Sequence, residues 1–208
     1  MRFRDRVHAG RELAGLLAHY AHRPDVIVLG LPRGGMPVAA EVARALGAPF
    51  DVFLVRKLGV PGHEELAFGA IAQGGVQVLN NSLIADLDLP PSAVERVAAR
   101  ERTELERRDE LYRGGRPFPI LHDRTVILID DGLATGATME AAVIALRRLH
   151  PAWVVVAAPV GARETCDRLS GIGDEVVCAA TPAPFDAVGL WYEDFSQTTD
   201  EEVRALLA

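Results

Sequence analysis

Long apolar runs are missing from this sequence of 208 residues. No stretch approaches the roughly 20 residues that a membrane-crossing helix needs. The first residues, Met1-Arg2-Phe3-Arg4-Asp5-Arg6, are basic, but no hydrophobic signal core follows, so a cytoplasmic location without membrane attachment is expected. Cysteine is scarce: Cys166 and Cys178 have no metal-ligand spacing and no second pair, which fits a reduced setting and two small buried side chains. An excess of basic charge is also lacking. Lysine and arginine number 22 against 29 acids, a net charge of −7, which argues against a nucleic-acid protein held by a global basic field. A local basic patch remains compatible with that balance. Internal repeats, low-complexity tracts and linkers are absent, so residues 1–208 read as a single domain with one sizeable core.

What the chain does have is concentrated in one stretch, Val126-Ile127-Leu128-Ile129-Asp130-Asp131-Gly132-Leu133-Ala134-Thr135-Gly136-Ala137-Thr138. The apolar, β-branched start reads as a buried parallel strand, and Met139 to Leu149 then has helical spacing. Between them lie two adjacent carboxylates, small residues and hydroxyls. Free amides at a helix start, with the macrodipole behind them, make an anion site, to which Thr135 and Thr138 add hydroxyl donors. Ionised carboxylates accept hydrogen bonds in pairs, so Asp130 and Asp131 suit vicinal hydroxyls. A phosphate and two hydroxyls in this arrangement describe a ribose 5-phosphate.

A second loop follows the first apolar run, Val26-Ile27-Val28-Leu29-Gly30. It reads Leu31-Pro32-Arg33-Gly34-Gly35-Met36-Pro37 and leads into a helix expected from about Val38 to Leu46. Gly34 and Gly35 let backbone amides approach a ligand, and Arg33 brings a fixed fork of donors suited to phosphate.

The thirteen positions from Val126 to Thr138 resemble the 5-phosphoribosyl-1-pyrophosphate (PRPP) signature of the type I phosphoribosyltransferases. The compact Pro-Arg-Gly-Gly layout is similar to that of a poorly characterised subgroup of that family. The ending Gly-Lys-Thr of a Walker loop is absent. The resemblance implies an α/β fold with a central five-stranded, mostly parallel sheet flanked by helices, a small hood and a flexible lid. The core would comprise about 23–60 and 120–180, and the hood and lid about 60–120 and 181–208. It implies transfer of ribose 5-phosphate from PRPP to a nitrogen of a base or related acceptor, with release of pyrophosphate. The 5-phosphate would be held by Gly132, Leu133, Ala134, Thr135, Gly136, Ala137 and Thr138. Pyrophosphate would be held by Pro32, Arg33, Gly34, Gly35 and Lys57. Asp130, Asp131, Arg33 and Lys57 would act in catalysis, and Mg²⁺ would accompany the substrate near Asp130, Asp131 and Asp194. A homodimer is the family expectation.

Asp51 to Lys57 reads as the second strand, with Arg56 and Lys57 at its end, where ligands of open α/β sheets collect. Gly59 to Glu65 reads as the lid loop, with His63 and Glu64 on it, followed by a hairpin of Leu66–Ala72 and Val76–Leu79. A helix from about Ala93 to Tyr112, capped by Ser92, carries six acids and six bases between Glu95 and Arg113, the pattern of a solvated face. In the tail, Phe185 and Val188 are placed by resemblance against an acceptor base. Two departures bear on the acceptor: Ala158-Pro159-Val160-Gly161-Ala162 contains no lysine where members that read a 6-oxopurine have one, and Ala134 stands where they have an aspartate. The alternative reading is a sensor of PRPP or nucleotide that keeps the fold and regulates a partner.

Overall fold

β-Branched residues buried on both faces suit a parallel sheet covered by helices, and the apolar runs adopt that arrangement. The computed structural model describes residues 2–208. Its strands are Val26–Gly30 (β1), Phe50–Val52 (β2), Val55–Val60 (β3), His63–Ala72 (β4), Val76–Leu79 (β5), Thr125–Ile129 (β6), Trp153–Val160 (β7) and Glu175–Ala180 (β8). Its helices are Arg6–Leu16 (α1), Gly35–Leu46 (α2), Asn81–Asp86 (α3), Pro91–Arg113 (α4), Ala137–Arg147 (α5), Arg163–Leu169 (α6) and Asp200–Leu207 (α7). The main sheet has five strands in the order β2-β1-β6-β7-β8, all parallel. Side chains alternate across it. Val26, Val28, Ile127 and Ile129 pack under α1 and α2, while Ile27, Leu29, Val126 and Leu128 pack under α5. β1 and β6 pair from Val26–Thr125 to Gly30–Ile129, so their ends coincide and the loops at 31–35 and 130–136 emerge side by side.

The expected strand from Asp51 to Lys57 is corrected. Only Phe50–Val52 joins the main sheet, and the chain then crosses into a separate antiparallel sheet of three strands, β3-β4-β5. The side chain of Gln73, buried at the end of β4, accepts the Leu54 amide at 2.8 Å and anchors that crossing. Lys57 and Arg56 therefore belong to the second sheet, and the first core segment ends near Val52. The stretch read as a lid loop is a tight turn at Pro61-Gly62 between paired strands, and the expected hairpin β4–β5 is present.

The helix at 91–113 begins with Pro90 as its cap residue and Pro91 in its first turn, not with Ser92 as cap. Proline presets the backbone angle of a first helical residue and gives up an amide that has no partner there. Its charges are only partly a solvated face. Glu104 pairs with Arg107 and Arg108 in that manner, but Glu101 and Arg113 are buried. Glu101 accepts both Nε and Nη2 of Arg56, at 2.8 and 2.6 Å. Arg113, its side chain 1% exposed, binds Asp51 at 2.5 Å and the carbonyls of Arg116 and Pro117. Removing a buried guanidinium leaves its carboxylate and carbonyl partners unpaired. Arg113→Met is expected to lower stability by about 3 kcal/mol, read as a shifted urea midpoint. A midpoint equal to wild type would show that the pair contributes nothing.

Candidate functional site

The acid pair sits where β6 ends. Tight pairing to β1 and β7 brings Asp130 and Asp131 to the sheet edge, next to the turn that starts α2. The contact between the two loops is direct. A Cβ placed on Gly34 would lie 2.0 Å from Asp131 Oδ2, and one on Gly35 would lie 2.6 Å from the Ile129 carbonyl oxygen. Gly34 has φ −62°, so glycine is needed there for space and not for an unusual backbone angle. The peptide between Pro32 and Arg33 is cis.

Asp131 is held from three sides. Arg6 Nε donates to its Oδ2 at 2.8 Å, the Tyr192 hydroxyl donates to its carbonyl oxygen at 2.6 Å, and its own amide donates to Asp130 Oδ1 at 2.8 Å. Burial, and then the charge of Asp131 beside it, push the Asp130 carboxyl up to about 8. Burial also raises Asp131, against the opposing pull of Arg6. Two recessed carboxylates with one cation between them favour a ligand that brings hydrogen-bond donors or further positive charge.

The anion loop is pinned from behind. Gly136, in the left-handed region at φ +69°, precedes the first turn of α5, and a Cβ there would lie 2.4 Å from Thr165 Cγ2. The Thr165 hydroxyl donates to the Ala134 carbonyl at 2.5 Å, and Arg168 Nη2 donates to that of Thr135. The amides of Thr135 and Gly136 donate to no protein group among the described residues, which leaves them for a ligand. Leu133 is different. Its amide donates to the Val160 carbonyl at 2.9 Å and its side chain is in the core, so it shapes the loop and offers no free donor. The amide of Gly35 is likewise committed, to the Leu31 carbonyl at 3.0 Å, which leaves the Gly34 amide as the free donor of that pair.

Of the other expected site residues, Lys57 faces the first turns of α5, with its Nζ 4.0 Å from Glu65 Oε2, and Arg33 is paired elsewhere. Lys57 lines a cleft of about 280 Å³ together with Ala137, Glu140 and Ala141 of α5. It is the only lysine in the sequence, a count that was legible from the start. Arg33 points the other way: its Nη1 lies 3.9 Å from Asp200 Oδ1, an oxygen that also accepts the Tyr112 hydroxyl at 2.5 Å. Val188 packs on the 132–136 loop, so that a Cβ on Gly132 would lie 2.4 Å from its Cγ1. Phe185 is half-buried against a cluster of Phe3, Ala9, Val160 and Tyr192, which gives it a packing role. Asp194 is exposed and accepts the Ser196 amide at 2.9 Å. Among the described residues, no group of three His, Cys, Asp or Glu side chains converges as a metal set. Asp130 and Asp131, adjacent at the end of β6, would suit a divalent cation only with most of its shell supplied by other oxygens.

Two features had no signal in the linear pattern. Arg6 belongs to a helix that shows only packing periodicity. Cys166 and Cys178, read as separate buried side chains, meet at 2.6 Å between α6 and β8, with both thiols against Gly161. No helix among the described residues is long and apolar enough to cross a membrane.

The sequence and the fold both match known proteins. Residues 5–178 match the profile of the phosphoribosyl transferase domain. A Mycobacterium tuberculosis protein, provisionally named a phosphoribosyl transferase, is 50% identical over 205 residues, which cover 99% of this chain and 46% of that protein. The chain thus spans about half the length of the curated relatives it matches. A crystal structure from Thermus thermophilus superimposes with a TM-score of 0.90 at 49% identity, covering 100% of this chain and 98% of that one. An Aquifex aeolicus structure shares the fold alone, with a TM-score of 0.51 and 12% identity over 88% of this chain and 78% of its own.

Proposed function

Because the chain belongs to the phosphoribosyl transferase family, we propose that it transfers ribose 5-phosphate from PRPP to a nitrogen acceptor and releases pyrophosphate. The observation that carries this reading is the packing of the Pro32–Gly35 turn directly on Asp131, beside an anion loop whose amides are free. Three subsites follow. Thr135, Gly136, Ala137 and Thr138 hold the 5-phosphate at the start of α5, where backbone amides and the helix dipole favour an anion. Asp130 and Asp131 accept the ribose hydroxyls and stabilise positive charge that develops at the anomeric carbon. Lys57 and the Gly34 amide steady the pyrophosphate, and Arg33 joins them by leaving Asp200. Mg²⁺ bound with the substrate beside Asp130 and Asp131 would neutralise part of the leaving group's charge. A nitrogen nucleophile then displaces pyrophosphate with inversion, and the protein's contribution is positioning and electrostatics.

The absence of a lysine in Ala158–Ala162, together with Ala134 in the loop, disfavours a 6-oxopurine acceptor. Pyrophosphate release from PRPP with Mg²⁺, scanned over purine and pyrimidine bases with a no-base control, tests the reading. Release with one base identifies a transferase and its acceptor. Tight PRPP binding without release on any base favours the sensor, and no binding at all overturns both.

The only lysine allows a direct check of the pyrophosphate subsite. Pyrophosphate is expected to slow acylation of the Lys57 amine by an amine-reactive reagent by about tenfold, with the N-terminal amine as internal control. Lys57→Ala is expected to weaken pyrophosphate more than ribose 5-phosphate. Equal effects on the two ligands, or labelling that pyrophosphate leaves unchanged, would remove Lys57 from the subsite.

A further inference from the structure

We propose that Arg6 is a positioning residue for the ribose: it holds one carboxylate oxygen of Asp131 so that the other is presented to a sugar hydroxyl. The inference rests on the phosphoribosyl reading above and adds to it a residue outside both sequence loops. Arg6 is the first residue of α1, and its side chain is 11% exposed. Nε donates to Asp131 Oδ2 at 2.8 Å, while Nη1 donates to the Ser196 carbonyl at 2.6 Å. The guanidinium carbon lies 4.1 Å from the centroid of the Phe195 ring, a distance at which a cation and an aromatic face attract. A planar fork fixed at three points cannot follow the carboxylate if it rotates, so it sets the plane of that carboxylate.

The contact is monodentate: only Oδ2 of Asp131 accepts from Arg6, and Oδ1 is not engaged by it. Arg6 also borders the pyrophosphate turn, since a Cβ on Gly34 would lie 3.3 Å from Arg6 Nε. Turn, acid pair and tail therefore share one cation. The other polar groups bonded to Asp131 are Asp130, through the Asp131 amide, and Tyr192, through the Asp131 carbonyl, while Gly34 packs on Oδ2 without donating to it. Neither touches the Asp131 carboxylate as a donor, so Arg6 is the group that orients it.

The test compares ribose 5-phosphate with 2-deoxyribose 5-phosphate by calorimetry on the full chain. Wild type is expected to prefer the ribose form by about tenfold, the worth of one hydrogen bond to a charged group. In Arg6→Ala that preference is expected to shrink to within about twofold, because Asp131 no longer discriminates, while a general weakening of structure would reduce both affinities alike. Arg6→Lys keeps the charge without the fork and carries the same comparison should the alanine variant not fold. Gly15→Ala, on the same helix with nothing within 4 Å of its Cβ position, is the control and is expected to keep the wild-type preference. Full retention of the ribose preference in Arg6→Ala and Arg6→Lys overturns the inference alone. Absence of binding by wild type to either sugar phosphate overturns the phosphoribosyl reading and this inference with it.

Discussion

Asparagine in place of Asp131 is expected to lower pyrophosphate release from PRPP by about two to three orders of magnitude, the usual loss when one preorganised electrostatic group is removed from a reaction centre. The substitution is nearly isosteric. The amide oxygen still accepts from Arg6 Nε, and the Tyr192 hydroxyl still reaches the backbone carbonyl, so the local framework is retained. What disappears is the negative charge facing the sugar. A neutral amide stabilises a cationic anomeric centre far less than a carboxylate does, and one of its two heavy atoms becomes a donor that faces a hydroxyl's hydrogen. The measurement is single-turnover release at saturating PRPP, with the thermal midpoint of each protein taken alongside. Wild-type release by Asp131→Asn would remove Asp131 from the chemistry. A loss of release that merely tracks unfolding would assign the residue to stability.

Gly34→Ala is expected to weaken ribose 5-phosphate and pyrophosphate binding together, each by about tenfold or more, while reducing stability by about 1–3 kcal/mol. The new methyl would sit 2.0 Å from Asp131 Oδ2 and 2.7 Å from its Cγ, so the carboxylate must move. It cannot move freely, since that same oxygen carries the Arg6 bond. The alternative is for the turn to retreat and take the Gly34 amide away from the pyrophosphate subsite. Either response harms a subsite, which explains why two loops about a hundred residues apart must both be narrow. Gly15→Ala supplies the contrast. It lies in α1 with nothing within 4 Å of its Cβ position, so alanine there is expected to be neutral or to stabilise by about 0.5–1 kcal/mol. Equal binding by Gly34→Ala and wild type would show that the loops do not constrain each other in solution.

Much of the framework was legible because its signals are local. The strand Val26–Gly30, the strand that ends at Ile129, the helix that follows the 132–136 loop and the hairpin read at 66–72 and 76–79 follow from apolar runs, helical spacing and glycine turns. Boundaries failed where a distant group decided them. The run from Asp51 to Lys57 looks continuous, yet Gln73, buried and bonded to the Leu54 amide, marks where it divides between two sheets. Ser92 looks like a cap, yet two prolines already start the helix before it. Glu101 and Arg113 look like surface charges, yet their partners, Arg56 and Asp51, come from strands 45 and 62 positions away.

By itself the sequence determined the parallel α/β architecture, the place of the anion loop at the start of α5, and the pairing of two acids with that loop, because each depends on neighbours in the chain. The tertiary structure alone decided which donors those loops keep free and which cations reach them. It turned Arg33 toward Asp200, set Lys57 across a cleft from Ala137, brought the two free thiols into contact, and brought Arg6 across 125 positions onto Asp131. These contacts depend on how α1, α6, α7 and the second sheet pack around the main sheet, and no periodicity within a single segment encodes that packing.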